Sequence, residues 1–177
     1  MNKLKILGIS GSLHADSSNT IILKTIQHLL PGNVEFSIFE GLEQLPHFSP
    51  ERMENEAVIK FKNAVQQANG VVFSTPEYAF GVPGTLKNAL DWTVSTGEFN
   101  EKPVCAISAS PLNSGGDKAL SSLLLTLTAL GTKKNENSFL SIPNIKSKID
   151  PESNLVTDPE TLSALNEQII KMLHIMQ

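Results

Sequence analysis

The chain has 177 residues, 40% of them apolar and 18% charged, with a formal net charge of -4 and a sequence pI of about 5.6. This is the composition of an ordinary globular protein, and the mildly acidic balance with no basic block speaks against nucleic acid as a partner. One cysteine excludes an internal disulfide framework and a four-thiolate metal site, and no apolar run reaches the length of a membrane span. The start, MNKLKILGIS, lacks a signal-peptide layout because its apolar stretch is short and runs into glycine. The expectation is one cytoplasmic domain covering residues 1–177.

In chain order, LKILGI (4–9) reads as a buried strand. SNTIILKTIQHLL (18–30) has apolar residues at helical spacing and stops at Pro31-Gly32. VEFSIFE (34–40) alternates like a strand. NEAVIKFKNAVQQAN (55–69) is an amphipathic helix ending at Gly70. VVFST (71–75) is a β-branched apolar run. GTLKNALDWTVST (84–96) is predicted to be helical, with Pro83 suited to its start. PVCAISAS (103–110) is the next strand, and GDKALSSLLLTLTAL (116–130) a strongly apolar helix ending at Gly131. Between 132 and 158 the last strand is expected in NSFLSIP, the rest being loop. DPETLSALNEQIIKMLHIM (158–176) closes the chain as a helix, with Asp158 as N-cap and Pro159 at its first position. This strand–helix alternation predicts an α/β fold, a doubly wound five-stranded parallel sheet of order 2-1-3-4-5 with helices on both faces.

Ligands of such sheets sit beyond the carboxyl ends of the strands, where the strand order reverses. Three loops there have unusual composition. The first, residues 10–19 within GISGSLHADSSNT (8–20), offers Ser12, Ser17, Ser18 and Asn19 at a helix start, a setting that suits a phosphate. Ser17 or Ser18 would equally serve as a helix cap. The loop is neither a Walker loop nor the dinucleotide fingerprint, since the terminal Gly-Lys-Ser/Thr and the third glycine are missing.

The second loop opens TPEYAFGVPG (75–84). Prolines stiffen it, and Glu77, Tyr78 and Phe80 lie in a turn against which a flat ring can stack while backbone N–H groups bond its edge. A surface turn with a packed tyrosine is the plainer alternative. The third loop, SASPLNSGG (108–116), supplies Ser110 and a pair of glycines. Trp92 is expected in the core or an interface, Lys87 and Asp91 can pair on one helix face, and Cys105 reads as a buried core residue. The histidines, His14, His28, His47 and His174, have no metal-ligand spacing and form no triad pattern. His28 and His174 read as partly exposed surface or interface residues, while His47, on a loop that can border the ligand, reads as structural. A phosphate cradle, a flat-ring platform and no obvious nucleophile point to chemistry carried by a cofactor.

At these residues the sequence resembles the NADPH-dependent FMN reductase family of the flavodoxin-like fold. That family's pattern after the first strand, Gly-Ser-Leu-Arg-x-x-Ser-x-Asn, stands here as Gly11-Ser12-Leu13-His14-Ala15-Asp16-Ser17-Ser18-Asn19. Its second pattern stands as Pro76-Glu77-Tyr78-Ala79 and then Pro83-Gly84-Thr85-Leu86-Lys87-Asn88-Ala89-Leu90-Asp91-Trp92. His14 replaces the usual arginine and Ala79 the usual asparagine.

The resemblance covers nearly the whole chain. It implies an oxidoreductase in which NADPH or NADH gives a hydride to bound FMN, and reduced FMN passes electrons to a small acceptor such as a quinone. It implies that Ser12, His14, Ser17, Ser18 and Asn19 face the FMN phosphate. Pro76, Glu77, Tyr78, Ala79 and Phe80 would hold the isoalloxazine ring, with Ser110 on its other side. It further implies a homodimer or homotetramer, with neither nucleic acid nor membrane as partner. The alternatives are a flavodoxin-like electron carrier and a binding or regulatory protein that has lost tight FMN binding.

Overall fold

The computed structural model describes residues 3–51, 55–134 and 138–176. Its elements follow the expected order: β1 (Leu4–Ser10), α1 (Ser18–Leu29), β2 (Val34–Ile38), α2 (Glu56–Gln67), β3 (Gly70–Thr75), α3 (Gly84–Asp91), β4 (Val104–Ala109), α4 (Asp117–Ala129), β5 (Phe139–Ile142), β6 (Ile149–Asp150), β7 (Leu155–Val156) and α5 (Pro159–Ile175). The five long strands form one parallel sheet of order β2-β1-β3-β4-β5, as expected.

Strand residues divide by parity, because successive side chains leave opposite faces of a pleated strand. Ile6, Val72, Cys105 and Ile107 point to the face covered by α1 and α5, where they meet Ile22, Ile26, Leu165 and Met172. Leu7, Ile9, Val71, Phe73, Val104 and Ala106 point to the other face, covered by α2, α3 and α4. Burial on both faces is why β3 and β4 read as continuous apolar runs.

Two segments differ from the sequence reading. The helix expected over 84–96 ends at Asp91, with Trp92 as its C-cap and turns continuing beyond it. There the Thr93 hydroxyl donates to the Leu90 carbonyl at 2.7 Å, competing with the helical ladder. Residues 145–156, expected as loop, hold a 3-10 turn (Ile145–Lys148) and the two-residue strands β6 and β7, paired antiparallel. This hairpin docks on α1 through the Val156 N–H, which donates to the buried Thr25 hydroxyl at 3.0 Å. The last strand keeps its expected centre, although Asn137 at the start of the predicted segment lies outside the described residues. Asp158 caps α5 as expected, accepting from the Thr161 N–H at 2.9 Å. Among the described residues no helix is long and apolar enough to cross a membrane.

Candidate functional site

The strand order reverses between β1 and β3, so the loops leaving β1, β3 and β4 emerge side by side. Hydrogen bonds or close packing join each pair of them.

The first and second loops meet at Gly11. Its N–H donates to the Ser74 carbonyl at 2.8 Å. A Cβ on Gly11 would lie 2.6 Å from the Thr75 hydroxyl oxygen, so only glycine lets the backbones come this close. The first and third loops meet through Asn19, which is 3% exposed. Its amide oxygen accepts from the Ser74 hydroxyl at 2.9 Å, and its amide nitrogen donates to the Ala109 carbonyl at 3.4 Å. The second and third loops meet at Glu77. Its Oε2 accepts from the Lys118 and Ala119 N–H groups at 2.9 and 3.0 Å, at the N-terminus of α4.

Within the first loop Ser17 is the N-cap of α1, its hydroxyl oxygen accepting from the Asn19 N–H at 3.2 Å. Ser12 makes a similar local bond with the His14 N–H at 3.2 Å. His14 is exposed, and its Nδ1 accepts from the Asp16 N–H at 3.1 Å, which assigns the ring N–H to Nε2. The ring borders a cleft of about 470 Å³ between this loop and residues 38–43. Ser18 is half-buried in the first turn of α1. No acidic residue lies in that turn, and the nearest carboxylate, Asp16, is exposed just before the N-cap.

The second loop is a two-residue hairpin turn. The Tyr78 N–H donates to the Gly81 carbonyl at 2.9 Å, and the Gly81 N–H returns to the Tyr78 carbonyl at 3.0 Å. The central residues Ala79 and Phe80 are left-handed, with φ of 49° and 62°. Such a turn matches the twist of flanking strands but strains any residue with a Cβ. Pro76 is half-buried at its base; Tyr78 and Phe80 are 57% and 78% exposed. Among the described residues, the N–H groups of Glu77, Ala79 and Phe80 take part in no hydrogen bond.

In the third loop Ser110 is buried and its hydroxyl oxygen accepts from the Leu112 N–H at 3.1 Å. Its carbonyl accepts from the Ile145 N–H at 3.1 Å, so the missed 145–156 segment braces this wall.

The structure therefore gathers Ser12, His14, Ser17, Ser18, Asn19, Pro76, Glu77, Tyr78, Ala79, Phe80 and Ser110 at one end of the sheet, on three joined loops. It gives two of them work that their sequence context does not reveal: Asn19 spends both ends of its amide on protein groups, and Glu77 caps a distant helix. His28 and His174 are exposed on their helices, as expected, and His47 is exposed on its loop. That loop is pinned to α3, where the Trp92 Nε1 and the Asn88 Nδ2 both donate to the Pro46 carbonyl at 2.9 Å. His14 and His28 bond backbone groups only, so among the described residues no histidine activates a hydroxyl or thiol.

The sequence model of the NADPH-dependent FMN reductase family matches residues 4–146. A quinone reductase of Escherichia coli is 31% identical over 176 residues, covering 94% of this chain and 92% of its own length. A 2-hydroxy-1,4-benzoquinone reductase of a Burkholderia species is 31% identical over 160 residues, covering 88% of this chain and 87% of its own. Among solved structures, the flavoenzyme FerB, an NAD(P)H:(acceptor) oxidoreductase of Paracoccus denitrificans, superposes with a TM-score of 0.88 at 26% identity, over 98% of this chain and 97% of that one. A family match over most of the chain and a relative above 30% identity over nearly all of it agree with the strand order and the joined loops: this chain belongs to the NADPH-dependent FMN reductase family.

Proposed function

We propose that the protein is an NAD(P)H-dependent flavin oxidoreductase that binds FMN on the three joined loops and reduces a small acceptor of the quinone type. The observation that carries this reading is the pair of unsatisfied donor sets beside one another. One is the first turn of α1, where Ser17 caps the Asn19 N–H but the Ser12, Ser17 and Ser18 hydroxyls donate to no protein group among the described residues. The other is the exposed Tyr78–Gly81 turn, whose neighbouring N–H groups are unused. A phosphate suits the first and the polar edge of a flat ring the second.

The residues fit FMN in a further respect. Three helices, α1, α3 and α4, start from the three loops, and Glu77 already fills the N-terminus of α4. The start of α1 is the one flanked by the hydroxyls of Ser12, Ser17 and Ser18, which suits a single phosphate. Ser12, Ser17 and Ser18 would donate to that phosphate, with His14 adding an Nε2–H. Asn19, its amide occupied, would hold the loop in shape. Pro76 would stiffen the base of the ring platform, Tyr78, Ala79 and Phe80 would form it, and Ser110 would face it from the opposite wall. Bound FMN supplies hydride acceptance from NAD(P)H and electron transfer to the acceptor. The chain's own part is to bind, orient and exclude water, which agrees with histidines that activate no nucleophile.

Exposed Leu13, Tyr78, Phe80 and Leu112, at 51%, 57%, 78% and 66%, stand on the same three loops. A second copy of the chain would cover such a rim, which supports a homodimer or a homotetramer. Light scattering of the purified protein reads that state.

The deciding experiment adds FMN, FAD and riboflavin separately to purified protein and follows binding by calorimetry and by the visible spectrum. NADPH or NADH and a benzoquinone are then added. FMN is expected to bind at least tenfold more tightly than riboflavin, because of the phosphate contacts, and quinone-dependent NAD(P)H oxidation is expected to follow. No FMN binding at high micromolar concentration overturns the reading.

A further inference from the structure

Glu77 stands in the ring platform, yet its carboxylate turns away from the turn that follows it. It ends at the first turn of α4, 41 and 42 residues further along, where Oε2 takes the N–H groups of Lys118 and Ala119. The helix has no cap of its own. Its N-cap position is Gly116, with φ 81° and ψ 35°, and no side chain there bonds the first turn. A Cβ on Gly116 would lie 3.5 Å from the Glu77 Cβ and 3.3 Å from the Ser108 Cβ. The glycine therefore brings the start of α4 against the second loop, and the carboxylate locks it there. A carboxylate at a helix N-terminus is favoured by the aligned peptide dipoles, and its hydrogen bonds are charge-assisted.

The position of this lock matters more than its strength. The Glu77 N–H is unused among the described residues, as are those of Ala79 and Phe80 in the turn that follows. The next residue, Tyr78, begins a turn with two strained left-handed residues. A strained, exposed turn holds one geometry only when its ends are held. One end runs into Pro83, buried at the start of α3. The other end is Glu77.

We propose that Glu77 is a positioning residue: its carboxylate ties the ring platform to the N-terminus of α4 and so sets the spacing between the two walls of the cofactor slot. This rests on the FMN reading above. Glu77 acts on the cofactor through the geometry of its neighbours, while its side chain serves α4.

The test compares E77Q, E77A and E77D with the wild-type protein. Gln keeps an oxygen at the same reach and accepts both N–H groups; Ala has no acceptor, and Asp keeps the charge but is one methylene short. Calorimetry with FMN and, separately, with inorganic phosphate distinguishes the ring wall from the phosphate cradle. The visible spectrum of bound FMN reports the ring's surroundings. Hydrogen exchange of the ligand-free protein reports the clamp itself. E77A and E77D are expected to weaken FMN by about tenfold or more, the loss that goes with one charge-assisted hydrogen bond. They should alter the FMN spectrum, speed exchange at Lys118, Ala119 and the 78–81 turn, and leave inorganic phosphate binding within about twofold. E77Q, which keeps both hydrogen bonds without the charge, should stay closer to wild type than E77D on every readout.

Equal losses of FMN and phosphate would make Glu77 a general support of the fold and overturn the proposal. So would unchanged FMN affinity and spectrum in E77A and E77D. If E77A fails to fold, the E77D and E77Q pair decides. If wild-type protein binds no FMN, the cofactor reading is what has failed. Exchange at the 78–81 turn then still judges the clamp: faster exchange in E77D supports it and unchanged exchange rejects it.

Discussion

Asn19 and Ser74 are 55 residues apart in sequence and joined amide oxygen to hydroxyl at 2.9 Å, both buried at the mouth of the site. Because the same amide donates to the Ala109 carbonyl, one side chain ties the loops of β1, β3 and β4. Asn19→Ala leaves the Ser74 hydroxyl and the Ala109 carbonyl short of a partner in a buried place. The expected cost is about 2–3 kcal/mol of stability, read by urea denaturation. Asn19→Asp puts a carboxylate against the Ala109 carbonyl and beside the helix start. It should be at least as destabilising and should also weaken binding of inorganic phosphate. Full stability in Asn19→Ala would show that the three loops are held by other means.

The turn at Ala79 and Phe80 stores strain that a different sequence would relieve. Phe80 is 78% exposed, so removing its ring loses little packing, while its φ of 62° costs a non-glycine residue energy. Phe80→Gly is expected to raise stability by about 0.5–1 kcal/mol, the relief being partly offset by a more flexible unfolded chain. Ala79→Asn, which puts a left-handed-tolerant residue at φ 49°, should gain about 0.5 kcal/mol, and Ala79→Val should lose more than that. Thermal unfolding of the three variants orders them; a stabilised Ala79→Val would mean that the turn is not held left-handed in solution.

His14 folds back on its own loop, with Nδ1 bonded to the Asp16 N–H. An arginine there would lose that exposed bond and gain a permanent charge and a fork of donors. His14→Arg is expected to tighten both FMN and inorganic phosphate by about 1–2 kcal/mol. Calorimetry with the two ligands checks it, and an effect on neither would place residue 14 out of reach of the phosphate.

Cys105 lies in β4 with no exposure, and burial pushes its thiol from 9.0 up to about 12. The native protein should therefore resist iodoacetamide at mildly alkaline pH and react only when unfolded. The raised value also sets a sign. Above pH 9 the unfolded chain gives up the thiol proton while the native chain keeps it, so this stability contribution is full below pH 9 and is lost as pH rises toward 12. Between pH 8 and pH 10 the wild type should lose about 1 kcal/mol more than Cys105→Ala does. Identical slopes in the two proteins would mean that the thiol reaches water in the native state.

The architecture was legible because parity and helical spacing are local. Val71, Val72 and Phe73 announce a strand buried on both faces, and Pro159 behind Asp158 announces a helix start. The three site loops were legible for a related reason, since glycine, serine and proline after an apolar run have no use in a core. What sequence did not show were pairings across the fold. Nothing near Glu77 marks it as the cap of α4, and nothing near Asn19 names Ser74 and Ala109 as its partners. The Gly116 cap position, empty of any side chain, was the available hint that α4 borrows its cap from elsewhere. The β6–β7 hairpin was missed because two-residue strands carry no periodicity. The end of α3 was overrun because no glycine or proline stands between Asp91 and Gly97.

The burial of Trp92 has an optical consequence. The chain contains one tryptophan and one tyrosine, and they occupy opposite kinds of place. The indole of Trp92 is fully buried, bonded to the Pro46 carbonyl and met edge-on by Phe48 at 5.1 Å. Tyr78 stands 57% exposed on the platform turn. Fluorescence excited in the indole band alone therefore comes from a single fluorophore at the joint between α3 and the 46–48 segment. It should emit at short wavelength while that joint is closed and shift to the red when it opens. The phenol band of the single Tyr78 lies under the stronger indole absorption, so occupancy of the turn is read instead from the visible band of added FMN. Opening of the scaffold and occupancy of the site can thus be followed in one cuvette without a label.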